Sequence, residues 1–188
     1  MQNKQIIKLV SEKQLIHDCQ KGLKQSQFLL VKRYSAMLMT VCRRYARDEA
    51  MAKDVLQEAL IRIFKNIGRY QPTGSFEAWM RRIAVRCALQ WLEKSHFRRE
   101  QTTENFDDDR PIDPAVYQQL ATENIIKLVQ ELPDGFRTVF NLNIIEGYSH
   151  KEIAELLNIT ESSSRSQLLR ARRLLQKKLT DSLKVRSL

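Results

Sequence analysis

The chain has 188 residues, enough for one mid-sized domain or two small ones, with 43% hydrophobic and 29% charged residues but only 5 glycines and 4 prolines. The formal net charge of +10 calls for an anionic partner, nucleic acid or a membrane surface. No secretory signal is visible in MQNKQIIKLVSEK, no apolar run approaches bilayer length, and the cysteines (Cys19, Cys42, Cys87) and histidines (His17, His96, His150) form no zinc spacing or triad, so the expectation is a protein that is neither secreted, membrane-inserted nor metal-dependent.

The remaining expectation is a cytoplasmic chain with reduced, buried thiols, no metal and no cofactor. Helical periodicity predicts helices near 12–21, 26–45, 49–67, 76–97, 118–131, 135–146, 150–157 and 161–180, with no convincing strand. The fold class is therefore all-α: two small helical domains, 1–98 and 118–188, joined by a flexible acidic linker, 99–117. The linker reading rests on REQTTENFDDDRPIDPAVY, which carries six acids, two arginines and two prolines with little apolar content.

In the third helix, DEAMAKDVLQEALIRIFKNI, the residues Ala52, Val55, Leu56, Ala59, Leu60, Ile63 and Ile67 form an apolar face. Asp54, Glu58, Ile61 and Lys65 lie opposite. An isoleucine among charges is either a solitary exposed apolar residue or the anchor for a partner helix rimmed by charge. Next, Pro72 and Gly74 predict a loop, and Ser75 a cap for the following helix. Phe76, Trp79, Met80, Ile83, Ala84, Cys87 and Trp91 share its inner side, with Arg82 and Arg86 at the edge beside Trp79. Arginines next to aromatic rings suit a strand of unpaired bases, while plain core packing is the simpler account of Trp79 and, still more, of Trp91.

In the last third, Ser149 and Glu152 predict a capping box, Tyr148 and Ile153 a hydrophobic staple, and Gly147 a left-handed end to the preceding helix. The helix HKEIAELL carries Ile153, Ala154 and Leu157 on one side, small Ala154 allowing a close crossing. Asn158 tolerates a left-handed turn, Ile159 plugs it and Thr160 caps the next helix, which makes a helix-turn-helix. On the second helix, Ser164, Leu168, Ala171, Leu175 and Leu179 form the inward stripe. Ser162, Ser163, Ser166, Arg170, Arg173 and Lys177 face outward, with Arg165 at the edge. From Ser162 to Leu188 there are eight Lys or Arg against one acid. Small hydroxyl residues let a helix tip enter a major groove, and arginines meet the flanking phosphates.

These segments, in this order, resemble a bacterial RNA polymerase sigma factor of the extracytoplasmic-function group of the sigma-70 family. AKDVLQEALIRIFKNI is similar to that family's polymerase-binding helix, FEAWMRRIAVRCALQWL to its −10 melting segment, and LPDGFRTVFNLNIIEGYSHKEIAELLNITESSSRSQLLRARRLLQKKL to its −35-reading domain. The resemblance implies a non-enzymatic promoter-specificity subunit. Asp54, Gln57, Glu58, Ile61 and Arg62 would dock on the β′ clamp helices. Tyr70 and Phe76, with the loop between them, and Trp79, Arg82 and Arg86 would hold the melted −10 strand. Ser162, Ser163, Arg165, Ser166, Arg170, Arg173 and Lys177 would read the −35 duplex. Its implied partners are core polymerase (β′ clamp helices and β flap), promoter DNA and an anti-sigma protein. Ser164, Gln167, Arg86 and Gln90 depart from the family pattern, which has a branched apolar residue, an arginine, Asn and Asp there. A free-standing dimeric regulator would share the helix-turn-helix without a use for the Trp79 edge. A nucleotide-directed enzyme would need a phosphate loop, metal cluster or triad.

Overall fold

A computed structural model describes residues 10–96 and 127–186, and all regular structure among them is helical. The expected linker 99–117 and the expected helix start at 118 lie outside the described residues. The chain divides into two compact units, Met1–Glu100 and Gln101–Leu188.

In the first unit, α1 (Glu12–Gln20) starts on a Ser11 side-chain cap and ends before Gly22, whose φ of 77° makes the tight turn into α2. Helix α2 (Lys24–Tyr45) buries Leu30, Tyr34, Leu38, Val41, Cys42 and Tyr45. Asp48 then caps α3 (Glu49–Asn66), its carboxylate accepting from Met51 N at 2.7 Å. A single 3-10 turn, Ile67–Arg69, ends α3, and α4 spans Phe76–His96. Helices α2, α3 and α4 pack on one another pairwise, with α1 against α2.

The buried arc of α4 is wider than the periodicity implied. Val85, Ala88, Leu89 and Leu92 join Met80, Ala84 and Cys87 in the core, whereas Ile83, Trp79 and Trp91 are only half-buried. A helix flanked by two others buries more than one stripe. The small residues Ala52, Ala59, Ala84, Cys87 and Ala88 are fully buried and let the three long helices approach closely.

The second unit starts with a helical turn at 127–130. Arg137, almost wholly buried, ties that turn to α5 (Asp134–Phe140): Nη1 donates to Gln130 O at 2.8 Å and Nη2 to Asp134 Oδ1 at 2.7 Å. The expected single helix 135–146 is instead α5 followed by a π-helical turn, Asn141–Ile145, closed by Glu146 N donating to Asn141 O at 3.0 Å. The wider turn buries Asn141 and Leu142 while Ile144 and Ile145 face outward. Gly147 has a φ of 78°, a left-handed conformation that releases the chain into α6 (His150–Leu157). Helix α7 (Glu161–Arg186) follows and packs on both α5 and α6. No described helix is long and apolar enough to cross a membrane.

Candidate functional site

The helix-turn-helix is assembled by local chemistry. Ser149 Oγ accepts from Glu152 N at 3.3 Å, and Glu152 Oε2 accepts from Ser149 N at 2.8 Å and from its hydroxyl at 2.7 Å, completing the capping box. Those bonds from Ser149, side chain first and backbone second, hold the Glu152 carboxyl below its ordinary pKa. Asn158 adopts φ 52°, ψ 46°, and Ile159 N donates back to Ala154 O at 3.1 Å. Thr160 Oγ1 then accepts from Ser163 N at 3.0 Å, capping α7.

Ser164, Leu168, Ala171, Leu175 and Leu179 are all buried, so the stripe that faces inward is the expected one. Helix α6 contributes only Ile153 fully, while Ala154 and Leu157 are half-buried. On the outer face Ser162, Arg165, Ser166, Arg170 and Lys177 are exposed. Ser163 is half-buried and its Oγ accepts from the Thr160 hydroxyl at 2.9 Å, while Ser166 Oγ donates to Ser163 O at 3.0 Å. Both hydroxyls keep lone pairs for a further donor. Arg165 pairs with Glu161 at 2.5 Å, an exposed contact that a phosphate can displace at little cost. Arg173, expected outward, is half-buried with its Nε shielded from solvent.

Two outward residues escaped the sequence reading. Leu169 is 44% exposed among Arg165, Ser166 and Arg170, and Arg172 is exposed further along. The visible signal was Leu169's position off the inward stripe, which leaves an apolar contact for a thymine methyl among the charges.

In the first unit the second constellation lies on α3. Asp54, Gln57 and Ile61 are exposed, and Glu58 and Arg62 form a half-exposed ion pair at 2.6 Å. The spacing i, i+3, i+4, i+7, i+8 puts all five on one face. Ile61 is 49% exposed, a flat apolar spot with ready-made polar edges.

The third constellation surrounds the start of α4. Ser75 Oγ accepts from Ala78 N at 3.4 Å, and Tyr70 closes the preceding loop by donating its hydroxyl to Gly74 O at 2.9 Å. Gln20 Nε2 braces the loop's entry by donating to Ile67 O at 3.1 Å. Four rings form one cluster: Phe76 stacks on Trp79 (5.5 Å, 17°) and meets Tyr70 and Tyr34 edge-on at 5.0 and 5.8 Å, while Tyr70 lies 5.1 Å from Trp79. Tyr34 donates its hydroxyl to Glu12 Oε2 at 2.7 Å; burial first, and that carboxylate second, push its pKa up.

Phe76, expected to touch the opened strand, is 1% exposed. It occupies the middle of the cluster, where it supports the rings of Tyr70 and Trp79, and those two half-buried rings offer the accessible surface. Arg82 and Arg86 are exposed on the following turns. The arrangement suits stacking against bases with guanidiniums following phosphates.

Residues 30–103 match the Sigma-70 region 2 family, and residues 122–175 match Sigma-70, region 4. The chain is 27% identical over 180 residues to the RNA polymerase sigma-H factor of Pseudomonas aeruginosa, covering 89% of this chain and 93% of that protein. It is also 27% identical over 182 residues to the ECF RNA polymerase sigma-E factor of Haemophilus influenzae, covering 90% and 96%. Among solved structures, the sigma factor RpoE of Bartonella quintana, in complex with the anti-sigma factor NepR, is similar in fold, with a TM-score of 0.51 and 21% identity over 85% of this chain and 98% of that one.

Proposed function

The chain belongs to the extracytoplasmic-function group of the sigma-70 family, and from that premise we infer that it binds core RNA polymerase and directs promoter-specific initiation. One observation carries this reading: a region 2 match and a region 4 match follow one another in a single chain. Bond-making is left to the polymerase, and this chain supplies only binding energy and geometry. It acts where polymerase acts, in the cytoplasm.

The work divides between the units. Residues 118–188 form the −35-reading domain: the α7 tip enters the major groove with Ser162, Ser163, Arg165 and Ser166, while Arg170, Arg173 and Lys177 meet the backbone. Residues 1–98 form the domain that grips polymerase and melted DNA. Asp54, Gln57, Glu58, Ile61 and Arg62 dock on the β′ clamp helices. Tyr70, Trp79, Arg82 and Arg86 hold the separated −10 strand, with Phe76 as the support beneath. Extruding a base costs a few kcal/mol, which stacking at about 1–3 kcal/mol per base and a fitted pocket offset. Residues 99–117 span the two. An anti-sigma protein is the expected regulator, competing for polymerase-facing surface.

The test is transcription by purified core polymerase and this chain on a library of randomised promoters. Initiation confined to templates sharing two spaced elements supports the reading. No association with core, or no initiation on any template, refutes it.

A further inference from the structure

Ser164 is the one hydroxyl on an inward stripe that otherwise consists of Leu168, Ala171, Leu175 and Leu179, and it is fully buried. It stands where the family pattern has a branched apolar side chain, so it fills less of the seam between α6 and α7. Its Oγ lies 2.9 Å from Nδ1 of His150. His150 is the first residue of α6, and Ser164 belongs to the first turn of α7. The contact therefore ties together the starts of the two helices of the helix-turn-helix.

The other residues of that stripe, Leu168, Ala171, Leu175 and Leu179, are apolar and buried, and so is Ile153 of α6. Apolar packing favours contact but fixes no direction, whereas a hydrogen bond fixes both distance and angle. The residues flanking Ser164 on the helix, Ser162, Ser163, Arg165 and Ser166, are those assigned to the groove. A small rotation of α7 at Ser164 moves all four together.

We propose that His150 and Ser164 are positioning residues for −35 recognition, their hydrogen bond holding the α7 tip at the angle that reads duplex DNA. This rests on the sigma-factor reading and deepens its −35 site. The bond's contribution to folding is small, because both groups can find other partners. The Ser164 hydroxyl can turn to Thr160 O, four residues back, which already accepts Ser164 N at 3.0 Å. His150 is half-buried, so water can reach it. Losing the bond therefore frees the orientation more than it unfolds the unit.

The experiment uses holoenzyme reconstituted from core polymerase and the full chain. The −35 duplex is first selected from a randomised library with the unaltered protein. Affinity for it and for a non-specific duplex of equal length is then measured for His150→Ala, Ser164→Ala and the double variant. Each single variant is expected to bind the selected duplex about threefold to tenfold more weakly, the size of one net hydrogen bond, with non-specific binding unchanged. The double variant should lose no more than either single one, since one bond is removed in every case. The melting temperature should fall by no more than about 4 °C. Singles within twofold of the unaltered protein, losses that multiply in the double variant, or an equal loss on non-specific duplex would each overturn the proposal. Failure of the unaltered holoenzyme to select any duplex would instead sink the sigma-factor reading itself.

Discussion

Replacing Ile61 by glutamate separates docking from folding. Ile61 is 49% exposed, so about half of the ~3 kcal/mol available from burying an isoleucine, about 1.5 kcal/mol, is still to be gained when a partner covers it. Ile61→Ala removes most of that and should weaken core polymerase binding about fivefold to tenfold. Ile61→Glu does more. It sets a carboxylate beside Asp54 and Glu58, and docking would have to strip water from a charge facing an apolar spot. The combined loss is about 2–4 kcal/mol, a roughly thirtyfold or greater fall in affinity. Folding should hardly notice, because exposed substitutions away from special features stay within about 0.5 kcal/mol. Fluorescence titration of labelled chain with core polymerase reads the first quantity, and thermal unfolding of the free chain the second. An unchanged affinity would refute the docking role of this face. A fall in affinity matched by loss of the folded state would show that the α3 surface acts through stability alone.

Arg170→Ala should weaken −35 duplex binding similarly across sequences and lower the slope of log affinity against log salt by about 1, as one phosphate contact requires; a sequence-dependent loss with the slope unchanged would move Arg170 to base reading. Trp79→Ala should impair open-complex formation, followed by permanganate footprinting, more than it impairs −35 duplex binding, and equal losses in both would indicate a general structural defect. The Glu152 carboxyl has a depressed folded-state pKa, so its stabilising effect is whole above the ordinary value of 4.5 and is lost as pH falls through the depressed one. Glu152→Gln should therefore flatten the dependence of melting temperature on pH in that acidic window, and an unaltered acid limb would remove the capping box from the account.

Much of the second unit was legible because its geometry is local. Ser149 and Glu152 lie three residues apart, Thr160 caps within its own helix, and Asn158 takes a left-handed turn by itself, so adjacent residue types suffice to specify the bend. The inward stripe of α7 was equally readable from spacing. Arg173 was not, because its half-burial depends on how a long side chain lies over the surface. Nor was the π-helical turn at Asn141–Ile145, where the apolar pattern continues unbroken and the extra backbone width brings Asn141 inside. In the first unit the sequence placed an aromatic loop and a basic edge side by side but could not say which ring is covered.

Sequence alone determined that the chain is helical, the caps of α6 and α7, the turn between them and the sign of the charge on the outer face, since each depends on residues within one or two turns of one another. Tertiary packing decided that Phe76 sits beneath Tyr70 and Trp79, with Tyr34 of α2 against it, and that Ser164 meets His150 across a helix seam. The Tyr34–Phe76 and His150–Ser164 contacts join residues on different helices. Their outcome is set by which surfaces the helices leave free once packed, a quantity that no local pattern contains.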